Sequence, residues 1–202
     1  MDAIYLIAGL GNPGRQYEKT RHNAGFLVLE HWARKRRASW SLEDRFTARI
    51  AKWREGDLTV LFCQPQTFMN ASGESVGAVS RYYRVPLQRT MIVVDDADLP
   101  LGHIRMRPSG SSGGHHGLES VEAHLGSREY ARLRVGIGRV DDRQRDIAGH
   151  VLSDFSGAEE TLFGQVVHRC CQQLDCWLAD GIGKAMSQFN GAIAPNNEKA
   201  TE

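Results

Sequence analysis

The sequence predicts an α/β fold: a single-domain three-layer α/β/α sandwich built on a mixed, largely parallel sheet. Short apolar runs typical of buried strands alternate with stretches of helical apolar spacing, one turn at 55–57 inserts a hairpin, and no internal repeat is visible. Strands joined through helices pair in parallel, whereas a hairpin adds antiparallel strands. We therefore expect helices on both faces of the sheet.

Length and composition favour one domain. The chain has 202 residues, and we expect residues 1–194 to form the domain and 195–202 a disordered tail. Apolar side chains make up 41% of the chain, and no apolar run approaches the roughly 20 residues of a membrane span. Because the N-terminus lacks the basic region of a signal peptide, we expect a cytoplasmic protein without a membrane partner.

The first half of the chain begins with a buried strand at 3–10, which the glycine- and proline-containing segment 11–14 interrupts. Apolar residues then recur at helical spacing over 23–37, a stretch that ends in a run of basic residues. Two strands follow at 47–53 and 58–64, and the turn between them predicts a hairpin.

The second half continues the alternation. In chain order we predict a helix at 72–83, a strand at 90–94, a strand at 104–107 beside it, a helix at 117–125 and a strand at 133–137. The segment 108–114, called the Gly-rich loop below, has the most flexible composition in the chain. Beyond residue 141 the apolar spacing is helical to 189, with interruptions near 154–157 and 181–183.

Charges and cysteines narrow the class of partner and site. The net charge is +1, yet residues 15–54 hold 11 basic and 4 acidic side chains. One basic region on a nearly neutral protein favours a polyanionic partner that is contacted over a limited area. The alternative for the basic run 34–37 is a solvated helix end. The four cysteines lie in apolar stretches without paired spacing, so we expect core packing rather than disulfides or zinc.

Polar residues gather where the predicted strands end. In open α/β sheets ligands bind at the carboxyl ends of the strands, and four loops place polar side chains there. These side chains are Asn12, Asn70, Asp95 and the pair His115 and His116. His22 stands just before the first helix, from where it can reach the same edge.

The pairing of His22 with Asp95 predicts activation of water. A carboxylate fixes the tautomer of an imidazole and stabilises the imidazolium that forms when the ring takes a proton. Asparagine amides can donate to a developing oxyanion or hold a peptide group without adding charge. The sequence has no nucleophilic serine elbow and no cysteine at a loop tip, so direct attack by water is expected.

Five stretches closely resemble the bacterial-type peptidyl-tRNA hydrolase family, in its order and at its approximate spacing. They read GLGNPG at 9–14, TRHNAGF at 20–26, PQTFMNASG at 65–73, DDADLP at 95–100 and RLRVGIG at 132–138. Together they cover the chain from about residue 4 to 185. The resemblance implies an enzyme that hydrolyses the ester between an N-blocked peptide and the 3′ end of tRNA, recycling tRNA, as a monomer with no cofactor.

The resemblance also implies residue roles. His22 would be the catalytic base, Asp95 would hold it in its basic form, and Asn12 would help to distinguish blocked peptidyl from free aminoacyl ends. Positions that contact substrate would be Tyr17, Phe68, Asn70 and His116. The basic positions that lie near the acceptor phosphates would be Arg105, Arg107 and Arg134, where guanidinium groups can bind phosphate bidentately.

The chain departs from the family pattern at two positions. His116 stands where the family usually has a substrate-binding asparagine, and a neutral imidazole donates one hydrogen bond where an amide donates two. Substrate binding at this position is therefore expected to weaken or to depend on pH. Val94 replaces a frequent histidine within a strand, where little consequence is expected.

Three other interpretations of these motifs are a dinucleotide site, a metal site and a non-catalytic RNA-binding protein. The glycine pattern at 9–14 formally matches a dinucleotide fingerprint, but Pro13 removes a backbone donor and the acidic residue expected about 20 positions later is absent from a strand end. Adjacent His115 and His116 rarely reach one ion, so no metal is expected. A non-catalytic RNA-binding relative of the same fold is the remaining alternative, and retention of His22, Asp95, Asn12 and Asn70 favours an active enzyme.

Overall fold

The computed structural model describes residues 3–138 and 147–193, and the predicted tail and the start of the predicted C-terminal helical stretch lie outside them. The strands are β1 (Ala3–Gly9), β2 (Trp40–Glu43), β3 (Ala48–Glu55), β4 (Leu58–Pro65), β5 (Thr90–Asp96), β6 (His103–Arg107), β7 (Ala131–Gly136) and β8 (Gly191–Ala192). The helices are α1 (Ala24–Lys35), α2 (Ser72–Tyr83), α3 (His116–Leu125), α4 (Ile147–Val151), α5 (Gly157–Asp180) and α6 (Ile182–Phe189).

The strands form one mixed sheet in the order β2-β3-β4-β1-β5-β7-β6-β8. The four central strands, β4, β1, β5 and β7, pair in parallel, and both flanks are antiparallel. The predicted mixed α/β sheet is therefore confirmed, with its parallel part in the centre. The predicted hairpin corresponds to β3 and β4, which pair from Ala48 opposite Pro65 to Glu55 opposite Leu58.

The neighbour predicted for β6 is wrong. We expected this strand beside β5, but β7 lies between them and β6 pairs antiparallel with β7 and β8. The burial of the strands explains this order, because every residue of β5 is buried whereas β6 alternates between buried and half-exposed positions. The strand with both faces covered takes the inner place, and the alternating strand lies nearer the edge.

Helices cover both faces of the sheet and create two cores. Helices α1, α5 and α6 pack on one face, around buried side chains such as Trp32, Phe163 and Leu174. Helices α2 and α3 pack on the other face, around Val76, Val79 and Leu118. No helix in the described part of the chain combines the length and the apolar character that a membrane crossing requires.

The expectation that the cysteines pack in the core fits three of the four. Cys63, Cys170 and Cys171 are buried and Cys176 is half-buried, all as free thiols. Burial raises the pKa of Cys63 to about 12. A thiol with so high a pKa is protonated at neutral pH and does not act as a nucleophile.

Two glycines let the start of α1 lie directly against the carboxyl end of the central strands. A Cβ on Gly9 would lie 2.3 Å from the carbonyl oxygen of Gly25, and one on Gly25 would lie 2.3 Å from that of Val93. No side chain fits at such distances. The close backbone approach brings the short 3-10 helix at Arg21–Asn23, just before α1, to the edge of the sheet where β5 ends.

This packing predicts that Gly25→Ala destabilises the protein by about 2 kcal/mol or more, because the new methyl group must push apart backbone atoms that cannot move independently. Gly164→Ala is the matched control, since its Cβ would meet nothing within 4 Å in the middle of α5 and should be neutral or slightly stabilising. Urea unfolding of both variants measures the difference. Equal stability in the two variants would contradict the proposed close contact.

Candidate functional site

The residues predicted to form a site lie on loops at the carboxyl ends of the parallel strands. Asn12 follows β1, and Asp95 is the penultimate residue of β5. The loop after β4 carries Phe68 and leads into a short 3-10 helix, Met69–Ala71, that contains Asn70. His22 belongs to the 3-10 helix that the Gly25 packing places at this edge.

His22 and Asp95 are in contact, as the sequence predicted. His22 Nδ1 lies 3.0 Å from both carboxylate oxygens of Asp95. The Asp95 side chain is 2% exposed, whereas that of His22 is 16% exposed. A ring nitrogen that faces a buried carboxylate carries a proton, so the lone pair of the neutral His22 ring lies on Nε2, the nitrogen turned away from Asp95.

A second histidine, His115, also hydrogen-bonds to Asp95. The sequence placed His115 at this edge of the sheet but assigned no role to it. Its Nε2 lies 3.0 Å from Asp95 Oδ1. Its Nδ1 accepts hydrogen bonds from the backbone N–H groups of Gly117 and Leu118, so His115 caps the N-terminus of α3. Because Nδ1 is an acceptor, the ring proton must lie on Nε2, where it is donated to Asp95.

Two imidazole N–H groups thus converge on one buried carboxylate. Burial opposes ionisation of Asp95, but the charge interactions and hydrogen bonds of His115 and His22 outweigh it and lower its pKa to about 2. Asp95 is therefore ionised throughout the neutral range. A permanently ionised carboxylate keeps the Nδ1 proton of His22 in place and would stabilise a positive charge on that ring.

Asn12 is held by Asn23, the residue that follows His22 in the chain. The Asn12 backbone N–H donates to Asn23 Oδ1 at 2.8 Å, and Asn23 Nδ2 donates back to the Asn12 carbonyl at 3.0 Å. The Asn12 side-chain oxygen accepts from the backbone N–H of Met69 at 2.8 Å. With its oxygen engaged, the amide of Asn12 offers its N–H groups to a ligand.

The predicted substrate-contacting side chains are accessible. Phe68 is 61% exposed, an unusual state for a large apolar side chain. Asn70 is also exposed, and Tyr17 is half-buried in a short 3-10 helix, Arg15–Tyr17. His116 starts α3 with its side chain 78% exposed and its Nδ1 3.1 Å from Glu119.

The three arginines predicted near phosphates differ in accessibility. Arg105 and Arg134 lie opposite each other on β6 and β7, and both approach Asp96 Oδ2, at 3.5 and 3.2 Å. The Arg134 side chain is only 13% exposed, whereas that of Arg105 is 42% exposed. Arg107 is exposed at the end of β6. Arg105 and Arg107 therefore face solvent, and Arg134 is largely engaged within the protein.

The basic segment between residues 15 and 54 is partly neutralised by internal pairs. Arg21 is bonded to Glu159 at 2.7 Å, and Arg49 lies 3.6 Å from Glu30. Arg36 pairs with Asp175 and stacks 3.7 Å from the centre of the Trp53 ring. Such pairs reduce the charge that this segment presents to a polyanion.

The cluster of His22, Asp95 and His115 also has the residue types of a metal site, with ligand atoms within 4.8 Å of one another. The sequence argued only against a metal held by the adjacent His115 and His116, and it did not indicate this cluster. The tautomer of His115 opposes metal binding there. A metal on Nε2 would displace the ring proton to Nδ1, where it would face the two backbone N–H groups that Nδ1 now accepts.

Three comparisons with known proteins agree. A model of the family described as peptidyl-tRNA hydrolase matches residues 6–199. A peptidyl-tRNA hydrolase of Synechococcus sp. (strain JA-3-3Ab) is 43% identical over 188 residues, 93% of this chain and 83% of the relative. One of Rickettsia bellii (strain RML369-C) is 42% identical over 186 residues, 92% of this chain and 100% of the relative. The crystal structure of peptidyl-tRNA hydrolase from Acinetobacter baumannii superimposes with a TM-score of 0.87 and 33% identity, covering 95% and 97% of the two chains.

The two roles of His115 can be separated by mutation. Asparagine is a good N-cap but is too short to keep the bond to Asp95, so His115→Asn should retain the cap of α3 and lose the donor. The Asp95 pKa should then rise from about 2 toward its ordinary value of 3.8. Carbon-13 NMR titration of the Asp95 carboxyl measures this shift, and an unchanged pKa would contradict the role of His115 as a donor.

The same variant has a pH-dependent effect on stability. The folded-state pKa of Asp95 is depressed, so its ionised form stabilises the fold above pH 3.8, and this stabilisation is lost as the pH falls toward 2. Loss of one hydrogen bond to the buried charge should lower the unfolding free energy by about 2 kcal/mol at pH 7. His115→Ala is the comparison, because it should additionally lose about 1 kcal/mol of capping at every pH.

Proposed function

The chain belongs to the peptidyl-tRNA hydrolase family, and on that premise we propose that it cleaves the ester between peptide and tRNA with a water molecule activated by His22 and Asp95. Peptidyl-tRNA hydrolysis itself is supported jointly by the family match, by curated relatives at about 40% identity and by a solved structure of the same fold. The His22 and Asp95 contact supports the water mechanism, because it leaves the Nε2 lone pair of His22 available as a base.

The proposed reaction begins with proton transfer to His22. Nε2 takes a proton from water as the oxygen attacks the ester carbonyl carbon, and the imidazolium is stabilised by ionised Asp95. The tetrahedral intermediate then collapses, the bond to the 3′ oxygen of the terminal ribose breaks, and the same proton is returned to that oxygen. The products are tRNA and a free peptide acid, which releases the second proton of the water to solvent and becomes a carboxylate, and no covalent enzyme intermediate is formed.

Neutral side chains around His22 are proposed to hold the peptide end. The side-chain N–H groups of Asn12 donate to the peptide, because an amide whose oxygen is already held by Met69 loses little entropy on binding. Asn70 and Tyr17 provide further polar contacts, and exposed Phe68 covers an apolar part of the substrate. His116, where the family usually has asparagine, can donate one hydrogen bond from an exposed position after releasing Glu119.

The mechanism is proposed to be independent of metal ions. His115 supports this, because its capping bonds require an unprotonated Nδ1 and leave Nε2 protonated toward Asp95. The proton transfer needs only the His22 lone pair.

The acceptor end of tRNA is proposed to contact the surface formed by β6 and β7. Arg105 and Arg107 present solvent-exposed guanidinium groups. Arg134 contributes less, because its guanidinium already donates to Asp96 and to the Gly-rich loop. The protein is proposed to act as a cytoplasmic monomer, because one chain contains every side chain of the proposed site. A non-catalytic RNA-binding role is disfavoured by the relatives named as hydrolases and by the assembled His22 and Asp95 pair.

Replacement of the proposed base tests the mechanism. His22→Ala should lower the rate of peptide release from an N-blocked aminoacyl-tRNA by about 100-fold or more, with folding little affected. His168→Ala, at an exposed position of α5, is the control and should retain full activity. If His22→Ala retains more than about half of the activity, His22 is structural and the proposed mechanism is wrong.

The salt dependence of tRNA binding tests the proposed surface. With two or three phosphate contacts, the logarithm of the association constant should fall with the logarithm of the salt concentration with a slope of about −2 to −3. Arg107→Gln should make this slope shallower by about 1, whereas Arg128→Gln, an exposed arginine paired with Glu122, should leave it unchanged. A slope of about −5 or steeper would instead identify the basic segment 15–54 as the contact surface.

A further inference from the structure

Two arginines of β7 hold the Gly-rich loop that leads to His115. The Arg132 side chain is 1% exposed, and its two terminal nitrogens, Nη1 and Nη2, donate to backbone carbonyl groups. It bonds to Gly110 and, at 3.2 Å, to Ser111 in the loop. On the other side it donates to the carbonyls of Arg128 at 2.9 Å and Tyr130 at 3.3 Å. Arg132 therefore joins the Gly-rich loop to the connection between α3 and β7.

Arg134 adds a second attachment two residues further along β7. Its Nη2 donates to the carbonyls of Ser111 at 3.0 Å and Ser112 at 2.9 Å, while Nη1 donates to Asp96 at 3.2 Å. Asp96 is nearly buried and lies next to Asp95 in the chain. The loop is thereby bonded to the end of the strand that carries the catalytic carboxylate.

The loop has little else to fix its position. Three of its seven residues are glycines with positive φ, Gly110 at 148°, Gly113 at 63° and Gly114 at 80°. Its residues are exposed or half-exposed, so burial of side chains contributes little to its order. Ordering each residue costs roughly 1–2 kcal/mol of backbone entropy, and the arginine hydrogen bonds help to offset it.

The attached residues lead directly to His115. The Ser112 carbonyl, which accepts from Arg134, also accepts from the His115 backbone N–H at 3.3 Å. Ser112 Oγ accepts from the Gly114 N–H at 3.2 Å, which closes the turn before His115. We propose that Arg132 and Arg134 form a clamp on the Gly-rich loop and act as positioning residues, holding His115 against Asp95 and hence the His22 pair in its reactive geometry.

Arginine suits the clamp better than lysine. A guanidinium presents five donors in a planar arrangement, enough to serve four carbonyl groups on two segments, whereas an ammonium offers three donors from one point. Burial lowers the pKa of Arg132, against attraction from Tyr130 and Glu122. The protein keeps this charge inside because the carbonyl groups and the nearby Glu122 compensate it.

Arg132→Lys tests the clamp by kinetics and by nitrogen-15 NMR of the His115 ring, with thermal unfolding to establish that the variant is folded. The proposal rests on the proposed function for its kinetic consequence. It predicts that kcat falls roughly 10-fold to 100-fold with KM changed less than about 2-fold. The reason is that the substitution displaces the His22 and Asp95 pair and leaves the groups that contact the substrate in place. The His115 ring should change from one fixed Nε2–H tautomer to an averaged signal.

A folded Arg132→Lys protein with unchanged kcat and an unchanged His115 signal would overturn the proposal. Arg128→Lys is the control for charge and local sequence, since only its backbone carbonyl contacts Arg132. If Arg132→Lys fails to fold, Arg134→Gln is used to test the clamp. The Arg134 side chain is more exposed than that of Arg132, and the substitution removes its two hydrogen bonds to the loop. A rise in KM alone with the His115 signal unchanged would make Arg134 a phosphate contact only and overturn the clamp.

Failure of the clamp and failure of the proposed function are distinguishable. The His115 tautomer is read without substrate, so the clamp can be judged even if the hydrolysis mechanism is wrong. Conversely, an active His22→Ala protein would refute the mechanism and leave the tautomer measurement intact.

Discussion

The arrangement of the site depends on one buried charge, the carboxylate of Asp95 at the end of β5. An ionised carboxylate that is 2% exposed is costly unless hydrogen-bond donors surround it. His22 and His115 provide those donors, one from the segment before α1 and the other from the start of α3. Because these helices pack on opposite faces of the sheet, the charge connects both layers at the edge where the parallel strands end.

His22 and His115 both reach Asp95 because backbone packing places the first and hydrogen bonds to the Gly-rich loop help to place the second. Gly9 and Gly25 allow α1 to approach β1 so closely that His22 reaches β5. His115 arrives from a loop with little side-chain packing, and under the proposed clamp the bonds that Arg132 and Arg134 make to this loop hold it in place. His22 is thus placed by close backbone packing, and His115 by charge-assisted hydrogen bonds. These two constraints differ in how readily they can be released.

The sequence predicted what local pattern and burial determine, and it also predicted that His22 and Asp95 lie together, but it missed other features that tertiary contacts decide. The strongly apolar strands and the helix at 72–83 were predicted closely, whereas β2 and β8 were missed because such short, exposed edge strands carry almost no apolar signal. Neighbouring His115 and His116 have similar local sequence, and only the capping geometry of α3 turns the first inward. The engagement of Arg134 by loop carbonyls likewise depends on contacts more than 20 residues apart.

The distribution of charge also bears on how a large polyanion could be recognised by a chain whose net charge is only +1. Several cations of the basic segment are neutralised within the protein, by partners such as Glu159 and Asp175. Few guanidinium groups near the β6 and β7 edge remain for phosphate, and long-range attraction is correspondingly weak. Under the proposed mechanism, selectivity then has to come from the ester end of the substrate. Neutral, pre-oriented groups such as Asn12 suit that task, because they distinguish a blocked amide from a free ammonium by hydrogen bonding without adding affinity for every tRNA.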